Sequence, residues 1–311
     1  MSGFFRRIKN QEPVNTETSM GARAKAKAYE KTPDRFKNAS SFQVRLRTGA
    51  VYITLTSAGV LINDITTVIM LAVTAAICAG EFYFILRNDA KLPNEAIGIV
   101  AAVCYPFSMW LWGLEGVAVV TFALLLVLLV WYTYWMRSRI TDVCITLFGA
   151  MYTGLMLSGI IVIRQALTEP WGGVLVFLLL LSIWGNDAFA YIVGSKIGKH
   201  KLAPKTSPKK SWEGFIAGLI FSMIMWVAMS FVPGVQMPIW MALIFGLVCG
   251  GMEVLGDLVE SRIKRNVGVK DSGTIMPGHG GLLDRCDSLF LASVTAAILL
   301  TMGGCLPNVI L

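Results

Sequence analysis

Apolar runs of roughly 17–25 residues, each bounded by polar or charged stretches, recur along this 311-residue chain from about position 48 to its end. That is the length a helix needs to cross about 30 Å of hydrocarbon. No alternating strand pattern accompanies them, and only helices or closed barrels satisfy their backbone groups in lipid. The pattern predicts an all-α, polytopic integral membrane protein of about nine transmembrane helices. They fall at residues 48–62, 65–86, 94–112, 116–136, 141–163, 171–194, 213–232, 238–257 and 287–307, with a polar break, "NDIT", at 63–66. Residues 1–47 precede them as a polar, basic tail, partly disordered or helical. The tail has no apolar core of the signal-peptide kind and is expected to be retained.

Composition agrees: 55% of residues are hydrophobic and only 15% charged, against about 25% charged in soluble domains. Charge then sets an orientation. With the tail in the cytoplasm, every Lys and Arg of the 27 except Arg164 falls on the cytoplasmic side, as the positive-inside rule requires of an odd number of spans. The tail reads as solvated topogenic charge, or else as an adhesive for anionic lipid. No nucleic-acid module accompanies it, and nucleic acid is not an expected partner. The six cysteines are scattered without a CxxC, and two histidines are too few for a zinc site.

Residues 48–163 carry few charges within spans (Asp64, Glu81, Glu115 and Asp142), and the chemistry concentrates after residue 182. "WGNDAFAY" puts Asn186 and Asp187 inside a span. An intramembrane carboxylate is costly and faces a polar cavity or a structural hydrogen-bond partner. "HKLAPKTSPKKSWEGF" reads as a loop, through two prolines and the Thr206–Ser207 pair, that ends at a helix start. Ser211 can cap that helix beside Lys209 and Lys210, a chemistry suited to phosphate, although a basic loop is what topology requires in any case. "GSKIGKHK" is not a P-loop, since its spacing is wrong and His200 follows Lys199.

In "GGMEVLGDLVESRIKRN" the residues Glu253, Asp257, Glu260, Ser261 and Lys264 share one helix face. Stacked acids repel. Lys264 offsets one charge and a divalent cation offsets two. Asp284, Arg285 and Asp287 follow a glycine-rich loop, "PGHGG", flexible enough to fold back and let Asp257 and Asp284 converge. Carboxylate oxygens without thiolate or imidazole suit magnesium, which also takes substrate phosphates. A re-entrant turn pinning two spans is the plainer alternative.

The 27-residue stretch "SRIKRNVGVKDSGTIMPGHGGLLDRCD", Ser261 to Asp287, resembles the signature of phosphatidate cytidylyltransferases, also called CDP-diacylglycerol synthases. Its Ser, Lys-Arg, Lys-Asp-x-Gly, Pro-x-His-Gly-Gly and Asp-Arg-x-Asp positions are all filled. "SPKKSWEG" is similar to the family's second loop, with Ser211 where Thr is common, and "NDAFAY" to its aspartate-bearing sixth helix. Met276 and Cys286 stand where aliphatic residues are usual. The resemblance covers 48–311, and the basic tail departs from it.

The resemblance implies that CTP and phosphatidic acid give CDP-diacylglycerol and pyrophosphate at the membrane. It implies one or two Mg²⁺ ions, with a monovalent cation as a further candidate. On that reading Asp257 and Asp284 hold metal, with Glu253 a third candidate, and Lys264, Lys270 and Arg285 join them in catalysis. Asp187, Ser207, Lys209, Lys210, Ser211, Ser261, Arg265, Asp271, His279, Gly280, Gly281 and Asp287 contact substrate or order the loop. The active site is expected at the cytoplasmic side of residues 182–288. A homodimer in a bacterial cytoplasmic membrane completes the expectation. The rivals are a CTP-dependent polyprenol or dolichol kinase and, from another class, an ion-coupled transporter using Asp187, Glu253 and Asp257. A transporter would instead show discontinuous helices in repeated positions.

Overall fold

The computed structural model describes residues 41–87, 92–278 and 280–307. The tail up to residue 40, and His279, lie outside the described residues. The chain forms helices α1 (Ser41–Ile62), α2 (Asp64–Arg87) and α3 (Glu95–Tyr134), then α4 (Ile140–Ala150), which continues through a π-helical turn at Met151–Leu155 into α5 (Met156–Gln165). Next come α6 (Trp171–Ile197), a short hairpin of β1 (Lys201–Ala203) and β2 (Ser207–Ser211), α7 (Trp212–Met229), α8 (Ile239–Asn266) and α9 (Leu283–Met302).

Among the described residues, seven helices are long and apolar enough to cross a membrane. The expected nine spans count α1, whose apolar part is the shorter Leu46–Ile62, and count α3 twice. The division of α3 has a physical cause at Gly113, whose φ of 58° and ψ of −143° break the helix. Ala96 and Val127 line one apolar groove, yet on a straight helix they would stand about 45 Å apart. Tyr105 Oη lies 3.1 Å from Thr121 Oγ1 across the fold. The chain therefore reverses at Gly113 and α3 is a helical hairpin. At the other polar break, Asn63 caps α2 by accepting a hydrogen bond from Thr66 N at 2.8 Å.

Two expected features are revised. The loop after α6 is a two-stranded antiparallel hairpin with Lys201 opposite Ser211. And α8 runs nine residues past the expected end of its span at 257, with Ser261 and Lys264 on helix as the acid stripe required.

The bundle has two chemically distinct ends. At one, Arg164 is buried, donates from Nε to Val60 O at 3.2 Å, and pairs with Asp64 at 3.0 Å and Glu169 at 2.5 Å. A buried guanidinium needs that many acceptors to offset its desolvation. At the other end α1, α2, α8 and α9 meet around the 267–282 loop, where Thr48 Oγ1 donates to Pro277 O at 3.2 Å.

Candidate active site

Between the C-terminal part of α6, the β-hairpin, the start of α7 and α8 lies a cavity of about 580 Å³. Asp187 and Tyr191 from α6, Lys201, Lys209, Lys210 and Ser211 from the hairpin, and Asp257 from α8 line it. Local chemistry holds the hairpin there. Ser211 caps α7, its Oγ accepting from Gly214 N at 3.2 Å. Glu213 reaches back to the first strand, accepting from His200 N at 3.2 Å, with the His200 ring Nδ1 2.7 Å from its Oε1. Trp212 N donates to His200 O at 2.9 Å and closes the base. The two lysines of β2 are thereby set on the cavity wall. Lys210 Nζ lies 2.5 Å from Asp257 Oδ2, and Asp257 Oδ1 accepts from Ser261 Oγ at 3.0 Å.

Behind the cavity Glu253 is buried and does not line it. It accepts from Asn186 Nδ2, whose other hydrogen reaches Gly250 O at 3.1 Å, and from Ser182 Oγ at 3.4 Å. Ser182 and Ser222 lie 3.0 Å apart, and Ser222 donates to Gly246 O. The network ties α6, α7 and α8 together. The two readings of "ND" both find a residue: Asn186 is the structural bond between helices, and Asp187 faces the cavity.

A second polar cluster organises the signature loop. Lys264 Nζ sits between Glu260 Oε2 at 2.8 Å and Asp284 Oδ1 at 2.6 Å. Asp284 Oδ2 also accepts from Ser272 N at 2.9 Å and Gly281 N at 2.8 Å. Gly280 has φ 89°, and a Cβ there would lie 2.6 Å from Asp284 Oδ2, so glycine serves both conformation and clearance. Asp287 is buried, accepts from Ser288 N at 2.7 Å, and lies within electrostatic reach of Asp257, Glu260 and Asp187. Lys270, Asp271 and Arg285 are exposed, and Arg265 donates to Val269 O at 3.3 Å. Ser207 is half-buried opposite Ala203 in the hairpin.

Ten of the expected site residues thus form two groups. Asp187, Lys209, Lys210, Ser211 and Asp257, backed by Ser261, make the cavity. Lys264, Asp284, Gly280 and Gly281 make the loop anchor. Two further residues belong with the anchor, Glu260 and Glu81. Glu81 is buried on α2 and accepts from Leu283 N at 2.7 Å and Ser272 Oγ at 3.3 Å. The signal for Glu81 in the sequence was its charge inside an apolar span.

Magnesium can be tested against this arrangement. Among the described residues no three His, Cys, Asp or Glu side chains converge to hold a metal by themselves. Asp284 spends its lone pairs on Lys264, Ser272 N and Gly281 N. Asp257 faces the cavity, where it pairs with Lys210 and accepts from the Ser261 hydroxyl. It fits a site that magnesium shares with substrate phosphates, needing one or two carboxylates from the protein.

These features define an all-α, multi-pass membrane protein with a cavity lined by lysines and carboxylates at one end of its bundle. The cytidylyltransferase family model matches residues 43–302, and the chain belongs to that family. It is similar to phosphatidate cytidylyltransferases of several bacteria. Identity is 47% over 125 residues with the one from Staphylococcus haemolyticus, covering 40% of this chain and 48% of the relative. It is 39% over 171 residues with that of Staphylococcus saprophyticus, covering 54% and 64%. It is 37% over 178 residues with that of Bacillus subtilis, covering 57% and 65%. The chain thus spans between about half and just under two thirds of the length of these relatives.

Proposed function

We propose that the protein transfers the cytidylyl group of CTP to phosphatidic acid, giving CDP-diacylglycerol and pyrophosphate. The observation that carries this reading is the pairing of Lys210 with Asp257 on the wall of a cavity that also holds Lys209, Asp187 and the start of α7. Both reactants are anions, so catalysis is positioning and charge neutralisation. A phosphatidate oxygen attacks the α-phosphorus. The new P–O bond forms as the bond to the bridging oxygen breaks, and pyrophosphate leaves with the electron pair. A phosphate monoester is already ionised at neutral pH, so no general base is required.

Lys209 and Lys210 meet the incoming phosphates, Lys210 exchanging its carboxylate partner for a phosphate oxygen. The positive end of α7 adds partial charge at the same wall. Asp257 would hold a magnesium ion jointly with phosphate oxygens, and the chemistry that ion supplies is neutralisation of the charge on the leaving pyrophosphate. We take this end of the bundle to face the cytoplasm, where CTP is found, because it carries the chain's basic loops. On the family resemblance we take the working unit to be a homodimer.

The test uses purified protein in detergent with phosphatidic acid, Mg²⁺ and CTP labelled at either the α- or the γ-phosphate. The α-label is expected in lipid and the γ-label in pyrophosphate. Lipid labelled only from the γ-position would replace this reading with a lipid kinase, and no transfer by folded protein would overturn it.

A further inference from the structure

We infer that Glu81, on α2 and outside the signature, is a positioning residue that sets the signature loop and the start of α9. It stands 191 residues before Ser272 and 202 before Leu283, yet its Oε2 accepts from both. Leu283 N is the first amide of α9, a donor without an intrahelical acceptor. Glu81 therefore caps α9 from another helix, while Asp284, the second residue of α9, turns back to hold Ser272 N and Gly281 N. The two carboxylates together clamp the loop at Ser272 and at its junction with α9. Lys264 extends the clamp to α8 through Asp284.

Two signature glycines are explained by this carboxylate. The three atoms nearest a Cβ on Gly273 would all belong to Glu81, with Oε1 closest, Cδ at 2.8 Å and Cγ at 3.3 Å. A Cβ on Gly281 would meet Ser272 Oγ and both Glu81 oxygens, at 2.5 and 2.7 Å. Gly273 is not among the glycines with positive φ. Its lack of a side chain answers the carboxylate and not a turn. Glu81 is buried, so its removal leaves Leu283 N and Ser272 Oγ without their acceptor and leaves a void under the loop.

The catalytic half of this inference rests on the proposed function; the structural half does not. The full chain is compared with Glu81→Ala, Gly273→Ala and the double variant. Three readouts are taken: α-label transfer, hydrogen–deuterium exchange of peptides over 270–285, and melting temperature. For Glu81→Ala, kcat is expected to fall about 10- to 100-fold from misplacement of the loop, with KM for CTP within about threefold of the unchanged protein. Exchange is expected to quicken over 270–285 and stay unchanged over α6 and α7. Gly273→Ala alone is expected to lower melting temperature and kcat. In the Glu81→Ala background it adds no further loss, because the atoms it collides with are gone. Additive losses in melting temperature, or unaltered exchange over 270–285 in Glu81→Ala, would overturn the assignment. A KM effect without a kcat effect would overturn its catalytic half. If the unchanged protein transfers no label, the proposed function fails, while exchange and the glycine coupling still decide the clamp.

Discussion

Lys210 on β2 and Asp257 on α8 face each other across the cavity wall, Nζ to Oδ2 at 2.5 Å. The pair joins the segment that supplies positive charge to the helix that supplies negative charge, on the wall of the cavity. Asp257→Asn keeps the shape and the Ser261 hydrogen bond but removes the charge. Turnover is expected to fall by about 100-fold or more, the scale on which preorganised charge acts in catalysis, with little change in melting temperature. Steady-state rates with α-labelled CTP decide it. A near-full rate would remove Asp257 from the chemistry.

Lys264 reads in the sequence as an offset to the acid stripe and, by the resemblance, as a catalytic residue; its ammonium lies between Glu260 and Asp284 and is largely shielded from solvent. Replacing it with Met strands two carboxylates. Breaking a buried pair in this way costs about 3–5 kcal/mol, so Lys264→Met is expected to lower the thermal stability of the detergent-solubilised protein strongly. Unchanged stability with lost turnover would instead return Lys264 to the substrate.

The difference between those two lysines marks what the sequence could convey. Apolar runs marked most spans to within a few residues, the start of α1 and the end of α8 excepted, because length and hydropathy are local properties. The break at 112–116 was legible for the same reason. The residues of the cavity were legible as types: an intramembrane acid at 187, adjacent lysines before a capping serine, and an acid stripe on α8. Their division between cavity and anchor was not. Whether Lys264 or Lys210 meets open space depends on which helices lie beside α8, and that is set by packing over separations of tens to hundreds of residues. Glu81 was visible as a costly charge in a span, but its partner lies 202 residues on. The hairpin at 201–211 was read as loop because its prolines and lysines carry no alternation of apolar and polar positions.

Arg164 offers a control at the far end. Its guanidinium is buried, with Asp64, Glu169 and Val60 O as partners. Arg164→Met leaves Val60 O without that donor and frees two partly exposed acids to rehydrate. A loss of about 2–3 kcal/mol follows from hydrogen bonds to a charged group. Thermal melting should register it, while kcat of the protein that remains folded should be unchanged, since no cavity residue is touched.

The hairpin form of α3 rests on Gly113, and its test separates backbone strain from packing. At φ 58° and ψ −143° an L-residue is strained whatever space surrounds it, and holding a side chain in such a region costs about 1–3 kcal/mol. Gly116, one turn on, has an ordinary φ, but a Cβ there would lie 2.6 Å from Ser108 O and 2.9 Å from Trp112 Cβ, so its substitution forces the two halves apart. Gly251, inside α8, has an ordinary φ and nothing within 4 Å of an added Cβ. Gly113→Ala and Gly116→Ala are expected to destabilise, the first through backbone strain and the second through the contacts its Cβ would meet. Gly251→Ala should be neutral or stabilising by up to about 1 kcal/mol, the helix-propensity difference between the residues. Melting temperatures of the three variants in one detergent decide the matter. Equal effects at 113 and 251 would mean that the chain does not reverse at Gly113 and that α3 runs straight.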